Sequence, residues 1–107
     1  MSKGKDLAKT LMETKKVFVV SKTFCPFCVK AMRVLDKYSI PAENIEILQI
    51  ENRPDMDEIQ DFMKSVTGGR SVPRVFIGGK CIGGGDETQT LDKQGKLKPM
   101  LEAVGAL

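Results

Sequence analysis

The chain has 107 residues, enough for one compact core and not for two. Its 41% apolar and 29% charged residues are those of an ordinary globular domain, with no low-complexity tract or internal repeat. The net charge of +3 is mild and no run of Lys or Arg exceeds two residues, which argues against a nucleic-acid binder, while the longest strongly apolar run, at 17–20, is far too short to span a bilayer.

Leu7, Ala8, Leu11 and Met12 recur at helical spacing, which predicts a short amphipathic helix near 5–15. The stretch 1–16 has neither the continuous apolar core of a secretory signal nor the Arg-rich, acid-poor character of a transit peptide, so a cytoplasmic protein is expected. Val17, Phe18, Val19 and Val20 form a β-branched and aromatic run suited to a strand buried on both faces. Cys28, Met32, Leu35 and Tyr38, widened by Ala31 and Val34, mark a helix with a buried stripe that ends before Pro41. Ile45, Ile47, Leu48 and Ile50 predict a second strand. Pro54 and Asp55 open a further helix, with Asp57 and Glu58 near its positive end. Met56, Ile59, Phe62, Met63 and Val66 make its apolar face, and Gly68-Gly69 closes it.

Val75, Phe76 and Ile77, then Gly78-Gly79, then Lys80, Cys81 and Ile82 read as a hairpin with a two-residue turn. The three glycines at 83–85 read as a flexible loop, and Asp86 as the cap of a short helix that ends at Gln94-Gly95. Leu97, Met100, Leu101 and Val104 lie on one face of a last helix. The order is α-β-α-β-α-β-β-α-α. Its strand–helix–strand unit predicts a parallel pair and its hairpin adds antiparallel strands, giving an α/β domain over 1–107 with a small mixed sheet under helices.

The chain contains no His, which removes Ser-His and Cys-His catalysis and every His-containing metal site. Its three cysteines are Cys25, Cys28 and Cys81. Three is too few for a disulfide-stapled scaffold, and a C-x-x-C pair in a reducing compartment reads as redox-active or metal-binding. A structural zinc site needs four ligands, and neither a second C-x-x-C nor a His is present, so no metal is expected.

Pro26 suits the first helical position, where its missing N–H costs nothing. Cys25 then falls at the N-cap and Cys28 one turn inside. A sulfur at the N-cap faces unpaired N–H groups and the positive end of the helix dipole, and both favour its thiolate. Lys22 adds a positive charge nearby. Cys25 is therefore expected as the exposed nucleophile and Cys28 as the deeper thiol that resolves a mixed disulfide formed on it.

Ser21-Lys22-Thr23-Phe24-Cys25-Pro26-Phe27-Cys28, then Ser71-Val72-Pro73-Arg74, then Gly83-Gly84-Gly85-Asp86 resemble the motifs of the dithiol glutaredoxins, SKT-x-CPYC, TVP and GG-x-D, in the same order. The resemblance covers the chain from about residue 5 to its end. It implies a thioredoxin fold, with a four-stranded mixed sheet flanked by about five helices. It also implies a glutathione-dependent oxidoreductase that reduces protein disulfides and protein–glutathione mixed disulfides, with glutathione as co-substrate and no tightly bound cofactor. The implied partners are glutathione and disulfide-bonded or glutathionylated proteins, with no nucleic acid and no membrane, and the protein is expected to be a monomer.

The resemblance also implies roles. Cys25 and Cys28 are the catalytic pair. Lys22 and Gln60 contact the glycine carboxylate of glutathione, and Val72 pairs with its cysteinyl backbone. Pro73 is a cis proline beside the thiols. Gly85 and Asp86 hold the γ-glutamyl end, and Phe27 lines the groove. Arg70 and Arg74 extend the positive field. Phe27 departs from the family's Tyr, and Glu87 stands where a second Asp is common. Cys81, outside the motifs, reads as a half-buried strand cysteine. Two rival readings are an iron–sulfur carrier with a cluster on Cys25 and glutathione, and a thioredoxin proper. The first fits poorly with Pro26 and Cys28; the second lacks the usual Trp and Gly-Pro.

Overall fold

The computed structural model describes residues 3–107. Among the described residues there are five helices and four strands. They are α1 (Lys3–Thr14), β1 (Val17–Ser21), α2 (Pro26–Asp36), β2 (Ile45–Gln49), α3 (Met56–Thr67), β3 (Arg74–Ile77), β4 (Lys80–Gly83), α4 (Gly85–Lys93) and α5 (Leu97–Ala103). A 3-10 turn, Ala42–Asn44, precedes β2.

The sheet runs in the order β2-β1-β3-β4. β1 pairs in parallel with β2, from Val17 opposite Ile45 to Ser21 opposite Gln49. It pairs antiparallel with β3, from Val17 opposite Ile77 to Val20 opposite Arg74. β3 and β4 close the hairpin, with a bulge where Val75 meets Gly83 and Phe76 meets Cys81. The hairpin turn needs left-handed backbone at both central positions, which Gly78 and Gly79 supply at φ +61° and +80°.

Alternation along the strands divides the core into two layers. Val17, Val19, Val75 and Ile77 point to one face and pack with Ala31, Val34 and Leu35 of α2 and Leu97 and Leu101 of α5. Phe18, Val20 and Phe76 point to the other, against Ala8 of α1 and Ile59, Phe62 and Met63 of α3. The Phe18 and Phe76 rings stack at 5.8 Å. β1 is therefore buried at every residue, as its unbroken β-branched run predicts.

Four expectations need correction. The glycines at 83–85 are not a loop: Gly83 ends β4, Gly84 is the N-cap and Gly85 the first residue of α4. Asp86 therefore lies inside the helix and does not cap it. Val66, assigned to the apolar face of α3, is 44% exposed, because it lies in the last turn, beyond the cover that α1 and the sheet provide. α2 also stops at Asp36, leaving Tyr38 in the following turn, where its hydroxyl donates to Asp92 of α4.

Candidate active site

β1 delivers the chain at Ser21 to the site. A tight turn follows, in which the Cys25 N–H donates to Lys22 O at 3.2 Å. Cys25 then takes extended backbone at the N-cap of α2, with Pro26 at the first helical position as expected. The Val29 N–H donates to Cys25 O at 3.0 Å and closes the first turn.

The two thiols differ in setting. Cys28 is 2% exposed, and its Sγ accepts the N–H of Lys22 at 3.4 Å. Burial pushes its thiol above the ordinary range, and the Lys22 amide and the neighbouring Ser21 hydroxyl only partly offset this. Cys25 is half-buried, and its S–H donates to Val72 O at 3.7 Å. Its burial also favours the neutral form, but the Cys28 thiol, the amides of Cys28 and Phe27 and the Lys22 charge together outweigh it. The Cys25 thiol is therefore held below the ordinary range. The Cys25 sulfur closes no cap hydrogen bond of its own, so the amides act on it as oriented dipoles.

The segment after α3 forms the facing wall. Gly68 ends the helix in left-handed backbone at φ +86°. The Gln60 amide nitrogen donates to Arg70 O at 2.8 Å, and the Arg74 guanidinium reaches Ser71 Oγ at 2.9 Å. The Val72–Pro73 peptide bond is cis and Pro73 is buried. The start of α4 makes the third wall. There Glu87 Oε1 accepts the Gly84 N–H at 2.6 Å, satisfying one of the unpaired amides of the helix start. Asp86 Oδ1 lies 2.7 Å from Lys30 Nζ, and that ammonium also sits 5.3 Å from the Phe27 ring centre.

These walls enclose a cleft of about 240 Å³ bordered by Phe27, Val72, Pro73, Gly84, Gly85 and Asp86. Cys25 meets it through its bond to the Val72 carbonyl. Six of the sequence-predicted residues, Arg74 among them, thus converge on the cleft, and Cys25 adjoins it. Lys22 lies to one side, bordering a separate cavity with Ser21 and Cys28, and acts on Cys25 through its charge. Gln60 borders neither cavity: it is 8% exposed and braces the Arg70 carbonyl. Arg70 turns back to α3, 2.9 Å from Asp61. Cys81 sits half-buried in β4 against the α1–α3 layer.

Sequence reasoning missed Ser71, Gly84, Lys30 and the capping role of Glu87. Only the last had a legible signal, a Glu three residues after a helix N-cap. A larger groove of about 450 Å³ lies between α2 and α4 but includes neither Cys25 nor Cys28.

The sequence model of the glutaredoxin family matches residues 17–82. Glutaredoxin-1 of Sus scrofa is 41% identical over 92 residues, covering 86% of this chain and 87% of that protein. Glutaredoxin-C2 of Arabidopsis thaliana is 40% identical over 100 residues, covering 94% and 87%. Among solved structures, oxidized glutaredoxin 2 from Chlamydomonas reinhardtii superposes with a TM-score of 0.90 at 43% identity, covering 98% of this chain and 96% of its own. The buckwheat glutaredoxin–glutathione complex superposes at 0.86 with 32% identity, covering 100% and 98%.

Proposed function

Because the chain belongs to the glutaredoxin family, and is a dithiol thiol–disulfide oxidoreductase of the thioredoxin fold, we propose that it uses glutathione to reduce protein–glutathione mixed disulfides and protein disulfides. The observation that carries this reading is a half-buried thiol at the N-cap of α2, bonded to the Val72 carbonyl at the edge of a cleft. That cleft is bordered by the Asp86 carboxylate and by Val72, whose carbonyl the Cys25 thiol reaches. A relative of 32% identity has been solved in complex with glutathione, which supports the choice of tripeptide.

In this reading the Cys25 thiolate attacks the glutathione sulfur of a mixed disulfide. The protein leaves as a thiolate and takes a proton from water, and Cys25 becomes glutathionylated. The thiolate of a second glutathione attacks the bound glutathione sulfur, forms oxidised glutathione and restores the Cys25 thiolate. With a protein disulfide, Cys28 instead attacks Cys25 and releases the second protein thiol.

The cleft residues take their parts from their chemistry. The Val72 backbone pairs with the cysteinyl unit, and loss of the Cys25 proton frees its carbonyl for that purpose. Pro73 shapes the wall beside the sulfur. Gly85 lets the helix start approach the γ-glutamyl end, whose ammonium meets Asp86. Phe27 covers the groove with an exposed ring. Lys22 supplies charge for the glycine carboxylate, while Gln60 acts through the loop it braces. We place the protein in the cytoplasm as a monomer.

The test is turnover of a small glutathione mixed disulfide with and without glutathione. Turnover should require glutathione and vanish in Cys25→Ser. Equal turnover without glutathione, or an active Cys25→Ser protein, overturns the reading.

A further inference from the structure

At the carboxyl end of β1, Ser21 is 1% exposed, and its side-chain oxygen is buried without a hydrogen-bond partner among the described residues. Leaving a buried hydroxyl unmet is costly. It is not a lapse of local packing. The Ser21 carbonyl accepts the Ile50 N–H at 2.9 Å, and its strand register holds it opposite Gln49. The hydroxyl is left over, and it borders the same small cavity as the Cys28 thiol.

The Cys28 sulfur already receives one donor, the Lys22 N–H at 3.4 Å. The neighbouring hydroxyl falls short of a hydrogen bond to the neutral thiol, which is a weak acceptor. A thiolate is a strong acceptor and draws donors from a wide range of directions, so ionisation is the event that would complete the contact. The hydroxyl favours the charged form of Cys28 against the desolvation that opposes it. The groups facing Cys28 are thus Ser21, the Lys22 amide and the Cys25 thiol, with Lys22 also bordering the cavity. Arg33 and Asp36 of α2 border the same cavity from the helix that carries the sulfur.

We propose that the Ser21 hydroxyl is a stored donor for the resolving sulfur, engaged only when Cys28 ionises to attack the mixed disulfide on Cys25. This rests on the reading of Cys28 as the resolving thiol. The step it assists is balanced. The Cys28 thiolate forms a bond to Cys25 Sγ, the bond from Cys25 to the substrate sulfur breaks, and the substrate leaves as a thiol carrying the proton that Cys28 gave up. The substrate is reduced and the Cys25/Cys28 pair is oxidised. A donor already in place costs no reorganisation at that moment, which is what makes an unmet buried group useful.

The experiment is a double-mutant cycle on reduction of a disulfide-bonded protein, with glutathione as the reductant, using the full chain. Ser21→Ala should slow release of the resolved substrate about ten- to hundredfold, the scale of one lost hydrogen bond to a charged group. In the Cys28→Ser background the same change should add nothing. Its thermal midpoint should stay level or rise, because an unmet oxygen is removed. Equal slowing in both backgrounds, or a lowered midpoint that accounts for the loss, would show a packing role and overturn the proposal. Wild-type rates in Ser21→Ala while Cys28→Ser fails would also overturn it. A Cys28→Ser protein that reduces the disulfide as well as the wild type would instead overturn the resolving role of Cys28.

Discussion

Gly85 and Phe27 meet so closely that a Cβ built on Gly85 would lie 2.3 Å from the Phe27 carbonyl oxygen. That oxygen belongs to the backbone of α2 and cannot move aside as a side chain would. Gly85→Ala should therefore push the start of α4 away from the thiol-bearing helix. We expect a loss of about 1–3 kcal/mol in stability, as for other overpacked sites. A raised KM for glutathione should accompany it. Thermal denaturation and steady-state kinetics on the purified variant check both; a fully stable protein with wild-type KM would contradict the contact.

The two thiols should titrate apart. Alkylation with iodoacetamide, followed residue by residue by mass spectrometry, should give Cys25 a midpoint below the ordinary thiol range and Cys28 one above it. Because the Lys22 charge is the smallest of the causes acting on Cys25, Lys22→Gln should slow alkylation at neutral pH only about two- to fivefold, the scale of a solvent-screened charge. A loss of a hundredfold would mean that Lys22, and not the helix start, sets the nucleophile.

Asp86 should discriminate on the γ-glutamyl group. With a glutathione mixed disulfide, Asp86→Asn should lower kcat/KM by about tenfold, the scale of one charge-assisted hydrogen bond. With a mixed disulfide of cysteinylglycine, which lacks that group, the same variant should lose little. Equal losses on both substrates would place Asp86 in the support of α4, through Lys30, and not in recognition.

Tyr38 and Lys37 both reach Asp92 and tie the turn after α2 to α4. Tyr38→Phe should cost about 1.5–3 kcal/mol, the value of a hydrogen bond to a charged group. The bond to Asp92 is the main reason that the Tyr38 hydroxyl is raised from 10.0 to about 12, while Lys37 and Tyr38 hold the Asp92 carboxyl below the usual carboxylate range. The contribution of Asp92 is thus present above that range and lost as pH falls through its folded value. That of Tyr38 is present below pH 10 and lost as pH rises through about 12. The stability gap between wild type and Tyr38→Phe should be flat near neutrality and close at both extremes. A gap that widens in acid would contradict the pairing.

Much of the framework is readable from local pattern. The unbroken apolar run at 17–20 can only be a strand covered on both faces, and Pro26 after Cys25 places the helix start to the residue. What escaped was set by contacts between distant segments. Three glycines in a row at 83–85 signal a breaker, yet Gly85 begins a helix because α2 lies where a side chain would be. Gln60 has the polarity of a surface residue, but the carbonyl of Arg70, ten positions away, draws it inside. Val66 keeps the helical spacing of its neighbours after the cover has run out.

α2 and α4 begin against one another, and the cleft opens between their first turns. Each start presents backbone amides that no side-chain exchange can delete. The preference of this corner for electron-rich groups is thus written into the path of the main chain, and evolution at Lys22, Lys30 or Asp86 can adjust its strength without reversing its sign.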